Sequence, residues 1–512
     1  MRRIDRRHFL GMVGAGAALS LPPVLRDLSG ASHPQTGRNR LGVPPTVSPD
    51  GLTLTARATP VDIGPGSVEA FTLNGVAPAP TIRARTGDRF RAELVNGLPE
   101  PTILHWHGLA VPEEADGHPR LQIDPGERYA YDFEVVNGPG TYWYHAHTHE
   151  LTAPQAYKGL AGLLIVDGDE SEEFGLPGAE HEIAVVLQDK RLGASLELRY
   201  QPGMGPDMMM GYLGDTAFGN GVMNPTVNVE RRPYRMRLLN GSNARIFDVG
   251  LSNGAEMTLI GGDGGLLEAP VRLPRVMMAT GERVEVIIDF SRARTAERIM
   301  LRSLDFEAPG MMGMMRMMMG RGGRGGRGGM GMMGGGGLPQ GVEMDLLEFV
   351  VQDGPADPGP PLPTRFAPVP DRGRITDDTP RRTFRFQSQM MSHTINGLTF
   401  DMERIDERVP LRRTEVWTFV NESEVAHPVH AHAGLFRVLS RTGGRGEVMP
   451  WETGLKDTVL VMPSEIVDVA VRFAFPGLYL LHCHNLEHED MGMMLNFEVV
   501  ESRIHNPTGG RP

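Results

Sequence analysis

The chain has 512 residues, 40% hydrophobic and 22% charged, an ordinary globular composition long enough for roughly two to four separately packed cores. Its formal net charge of −12 counts against a nucleic-acid partner, because a phosphate backbone needs a basic face. A single cysteine, Cys483, excludes an intramolecular disulfide and leaves thiol or metal chemistry to that side chain.

Residues 5–11 read DRRHFLG, followed by an apolar stretch over 12–21 and small residues near 29–31. This resembles a twin-arginine export signal spanning 1–31, too short for a membrane span, and predicts an exported, periplasmic or extracellular protein without stable membrane insertion.

Beyond it, 65 Gly and 41 Pro imply many turns between short strands. Three segments share one pattern. Each opens on an Asn-Gly turn, at Asn74, Asn220 and Asn396, and runs through an alternating strand to an Asn, at Asn96, Asn240 and Asn421. Each adds a second strand after a turn: PGERYAYDFEV, TGERVEVIIDF and PSEIVDVAVRF. Alternation of this kind marks half-buried strands, so the prediction is an all-β chain of three β-sandwich domains, over 45–170, 180–355 and 375–502. One stretch breaks the pattern. Residues 311–337, rich in Met and Gly with almost nothing to bury, read as a mobile loop inserted in the second domain.

The histidines carry the chemistry. Seventeen of them would give about half an H-x-H triplet by chance, yet five occur. The motifs are HWHG (His105, His107), HAH (His145, His147), HPVHAH (His427, His430, His432) and HCHNLEHEDMGM (His482, Cys483, His484, His488, Met493). No His lies between His181 and His393, so the first and third domains must face each other to build the site. Residues i and i+2 of a strand share a face; each H-x-H therefore presents two imidazoles to one cluster, while Cys483 points away from His482 and His484. His427, Cys483, His488 and the distant thioether of Met493 make the His₂Cys-plus-Met set of a blue-copper centre. The other eight imidazoles are too many for a structural zinc and suit three coppers.

These four motifs, in this order, resemble those of the multicopper oxidases, and the triplicate layout is similar to their three Greek-key cupredoxin domains. The resemblance implies four copper ions: a type 1 copper on His427, Cys483, His488 and Met493, a type 2 copper on His105 and His430, and a type 3 pair on His107, His145, His147, His432, His482 and His484. It also implies that a reductant gives electrons singly at the type 1 copper and that O2 is reduced to water at the other three. Asp116 and Glu489 resemble the family's proton relays. His149 has no counterpart ligand and stays outside the set.

Cu(I) and phenols are both candidate donors. Met runs at 204–210, 311–319 and 330–333 could gather cuprous ion, since thioethers are soft ligands. Ser423 and Val425, however, stand where the copper-efflux branch of the family carries an Asp and a Met; Glu422 and Glu424 could substitute. A monomer is expected. A copper-sequestering binding protein would not need eight paired imidazoles, and a two-domain nitrite reductase would lack the third domain.

Overall fold

The computed structural model describes residues 37–203, 205–314, 337–370, 373–389 and 392–501. The expected signal at 1–31, Met204 and the greater part of the Met/Gly stretch, 315–336, lie outside them. The chain divides into Met1–Gly37 and Arg38–Pro512, and the fold described here belongs to the second unit.

Among the described residues six sheets form three pairs, each closed over its own core. In the first pair a four-stranded sheet (Ser67–Leu73, Asp50–Asp62, Arg89–Asn96, Arg128–Glu134) shares a core with a five-stranded one (Thr46–Val47, Thr81–Arg85, Ala161–Asp167, Gly140–Ala146, Leu104–His105). Leu54, Phe90 and Tyr131 of one meet Ile82, Tyr144 and Leu164 of the other, the inward-pointing residues of alternating strands. The middle pair has seven and six strands, with Val185, Leu238 and Val286 against Val249, Leu301 and Phe349. The last has six and five, with Phe384, Trp417 and Val469 against Val429, Tyr479 and Phe497. Three cupredoxin-like sandwiches are thus present.

The repeat is visible in the backbone. Asn74, Asn220 and Asn396 have φ of 56°, 47° and 54°, and the glycines after them 81°, 77° and 77°, the left-handed pair that a tight hairpin turn requires. The three strand-ending asparagines do one job. Asn96, Asn240 and Asn421 each donate from Nδ2 to two backbone carbonyls and accept, through Oδ1, the N–H two residues on. That brace sets the loop leading, in the first and third copies, to a histidine motif.

Two differences from expectation follow from pairing that alternation cannot reveal. Asn39–Arg40, ahead of the first predicted domain, pairs in parallel with Pro225–Val229 and extends the middle sandwich. The Met/Gly stretch does not begin as a free loop: Met312 is buried with Phe306, Ala308, Met210 and Met462, and Met311 packs against them. Among the described residues no helix is long and apolar enough to cross a membrane.

Candidate metal centre

The histidine motifs lie in or beside neighbouring strands of the two five-stranded sheets. Within the first sandwich His105 stands opposite His145 in the ladder, and within the third His430 stands opposite His482. The two sheets then bring these pairs face to face. His105 stacks on His432 and His107 on His430, each with ring centroids 3.7 Å apart. His105 Nε2 lies 3.4 Å from His430 Nε2, and His482 Nε2 lies 3.1 Å from that of His432 and 3.5 Å from that of His147. All eight rings are buried.

Their outer partners determine where the lone pairs point. The Nδ1 atoms of His105, His145, His430 and His482 face backbone carbonyls of Asp116, Ala146, Asp457 and Cys483, at 2.6, 2.9, 2.9 and 3.2 Å. His432 Nδ1 faces Asp116 Oδ2 at 2.7 Å. Carbonyls and carboxylates only accept, so each Nδ1 carries the proton and each Nε2 turns a lone pair inward. His107 is reversed. Its Nε2 donates to Asp457 Oδ1 at 2.9 Å, leaving Nδ1 as the buried nitrogen without a partner. His145 Nε2 and both nitrogens of His484 are likewise unpartnered. Burial, reinforced by neighbouring imidazoles, lowers the pKa of His105, His107, His147, His430, His432 and His484 well below the ordinary value, and burial brings His145 to about 4. Neutral rings with converging lone pairs are what several bound metal ions need.

On the other side of the strand Gly477–Cys483, Cys483 Sγ lies 3.4 Å from His427 Nδ1 and 3.7 Å from His488 Nδ1. Ser423 Oγ, whose own proton has acceptors in Asn421 Oδ1 and Val425 O, takes the N–H of His427 Nε2 at 2.8 Å; Met209 O takes that of His488 Nε2 at 3.0 Å. Both Nδ1 lone pairs therefore face the sulfur. Burial pushes the Cys483 thiol well up, so a thiolate here calls for a cation beside it. Met493 is buried in the same core. His149 is set apart, its side chain 39% exposed beside Glu150.

Asp116 and Glu489, the expected proton carriers, are both fully buried at the eight-ring nest. Asp116 Oδ1 has no hydrogen-bond partner. Glu489 Oε2 is 3.2 Å from His482 Nδ1, and its Oε1 is 3.6 Å from His147 Nε2. Of the two suggested substitutes for the missing substrate ligands, Glu422 is otherwise engaged, its carboxylate held by Arg385 and Gln387. Glu424 meets the Met/Gly stretch through its backbone carbonyl, which accepts from Met311 N.

Sequence reasoning missed Asp457 and Arg283. The middle sandwich provides no imidazole, yet its fully buried Arg283 donates to Asp457 Oδ1 at 2.8 Å and pairs with Oδ2, holding the carboxylate that orients His107. The glycine of HWHG makes room for this: at Gly108 (φ +87°) a Cβ would run into Asp457 Oδ2. The only signal was negative, a charged residue at an alternating position that should face solvent. His393 was also passed over; it is buried and its ring stacks on His488 at 4.0 Å.

Two sequence models of the multicopper oxidase family match residues 55–171 and 367–503. The chain is 31% identical to a multicopper oxidase of Staphylococcus haemolyticus over 83% of each chain. Among solved structures it is similar to the McoA multicopper oxidase from the hyperthermophile Aquifex aeolicus (TM-score 0.78, 32% identity, 90% of this chain and 99% of that one). It is similar also to a laccase from Pediococcus acidilactici (TM-score 0.78, 30% identity, 91% and 94%). Neither a sequestering protein nor a nitrite reductase is supported. With buried imidazoles converging on one nest and a Cys–His₂ group on the far side of the same strand, the chain belongs to the multicopper oxidase family and is a copper oxidoreductase that uses dioxygen as electron acceptor.

Proposed function

We propose that the chain holds four copper ions. His427, Cys483, His488 and the weaker thioether of Met493 would bind the type 1 ion, His105 and His430 the type 2 ion, and His107, His145, His147, His432, His482 and His484 the type 3 pair. The observation that carries this reading is the inward direction of the unprotonated ring nitrogens, fixed by Asp116, Asp457 and the backbone carbonyls of Ala146 and Cys483. Bound copper supplies one-electron chemistry at the first site and reduction of dioxygen to water at the second. Cys483 is joined through the backbone to His482 and His484, so the two sites are a few covalent bonds apart. Asp116, through its unpartnered Oδ1, and Glu489, between His482 and His147, are the proton relays. The proposed domains run over 45–170, 180–355 and 375–502, with Asn39–Arg40 added to the second. The protein acts as a monomer, exported through the signal at 1–31.

Cu(I) is the favoured donor. The helix Pro206–Met210 puts Met209 O on His488, and Met209, Met210, Met277, Met311, Met312 and Met462 form one apolar cluster there. Thioethers suit cuprous ion, and among the described residues His488 is fully buried beneath this cover. The laccase likeness keeps phenols as the second reading. The test is copper content and donor kinetics together. Four coppers per chain are expected, and replacing Met209 and Met311 by Leu, which keeps volume but removes sulfur, should lower kcat/KM for Cu(I) about tenfold and spare phenols. Fewer coppers in active protein would overturn the ligand assignment; unchanged cuprous kinetics would overturn the donor.

A further inference from the structure

A helix of five residues leaves its final carbonyls without intrahelical partners, and donors placed there also meet the negative end of the peptide dipoles. In Pro206–Met210 the last three carbonyls each receive a donor from the third sandwich. His393 Nε2 lies 3.0 Å from Met208 O, His488 Nε2 3.0 Å from Met209 O, and Asn485 Nδ2 3.2 Å from Met210 O. At its start the helix is held from the middle sandwich, where Arg191 pairs with Asp207 at 2.6 Å.

Two of these anchors, Asn485 and His488, follow closely on Cys483 in the chain. His393 does not. It stands opposite Ser388 in the pairing of Arg381–Gln389 with Ser392–Ile395, and is buried. Since its Nε2–H goes to Met208 O, its Nδ1 accepts from the Ser388 hydroxyl at 2.7 Å, which fixes the ring. Its face lies on His488, centroids 4.0 Å apart and planes 21° from parallel. One side chain therefore clamps the helix and shields a face of the imidazole that leads to the sulfur.

We propose that His393 is a positioning residue that sets donor size: by stacking on His488 and donating to Met208 O it holds the Met-rich helix over the electron-entry edge, admitting a small cation and excluding bulky aromatic donors. This rests on His427, Cys483 and His488 being the type 1 ligands, which is checked separately by the thiolate-to-copper visible absorption of the wild-type holoenzyme.

The experiment compares holoenzymes carrying His393→Ala, His393→Phe and His393→Gln, with syringol as the bulky donor and Cu(I) as the small one. Loss of one hydrogen bond to the helix should lower the syringol KM about fivefold in the Ala and Phe variants. Cu(I) oxidation should stay within about twofold and the visible absorption should be retained. His393→Gln, which keeps an N–H for Met208 O, should return the syringol KM towards the wild-type value. The Phe variant fills the ring's volume should the Ala variant not fold. An unchanged syringol KM in both Ala and Phe variants overturns the proposal. So does loss of the visible absorption in both, which would make His393 a prop of the copper loop instead of a selector.

Discussion

The eight-ring nest and the Cys483 site share a strand but are protected differently. In the nest, His105 and His430 are held by ladder pairing, and outer partners from the backbone, Asp116 and Asp457 fix the ring nitrogens, with Arg283 behind. At the Cys483 site all four proposed ligands come from one sandwich, and a five-residue helix from another is held there by three carbonyls, one on His488 and two on its neighbours His393 and Asn485. Framework strands suit a site that must keep partly reduced oxygen in; a short helix suits a site that must meet a donor. The lesson is that one i, i+2 strand pattern can serve enclosure and exchange together, because its two faces meet different neighbours.

Changes on either face should break this division in distinct ways. The largest effect is expected for Cys483→Ser, which removes the proposed entry thiolate: oxygen uptake with every donor should fall at least about a thousandfold, and the visible absorption should vanish. Next is Arg283→Met, which strands the buried Asp457 carboxylate; denaturant unfolding should show a loss of about 3 kcal/mol, and copper analysis should show loss from the nest while the visible absorption persists. Asp116→Asn should slow oxygen reduction about a hundredfold with the visible absorption unchanged, and full turnover in that variant would remove Asp116 from the proton path. Smallest is Ser423→Ala, which removes the nearer acceptor of His427 Nε2 and leaves Ser388 Oγ at 3.4 Å: stability should fall by about 1 kcal/mol and the potential of the proposed type 1 site should move, with copper content intact.

Much of this was legible because it obeys a period. H-x-H alternation gave the pairing of rings, the Asn-Gly dipeptides gave the three hairpins, and their bracing asparagines recur with the same bonds. What escaped has no period. Arg283 and Asp457 are 174 positions apart, one opening the strand Arg283–Asp289 and the other between Leu455–Lys456 and Thr458–Val461, and only the closing of the sandwiches makes them a pair. His393 escaped because its partners include a backbone carbonyl, which any residue at position 208 would supply. Asn39–Arg40 escaped because two residues are too few for alternation to register.

The meeting of His105 with His430 has a consequence for the unfolded chain. These residues are 325 positions apart, and a metal ion held by both, as proposed, would tie off a loop of that length. A single cross-link of such reach removes conformational freedom from the unfolded ensemble worth about 6 kcal/mol, most of it insensitive to the exact length because the dependence is logarithmic. Copper held as proposed would tie the first sandwich to the third, so the copper-free protein should unfold at lower denaturant than the copper-loaded one.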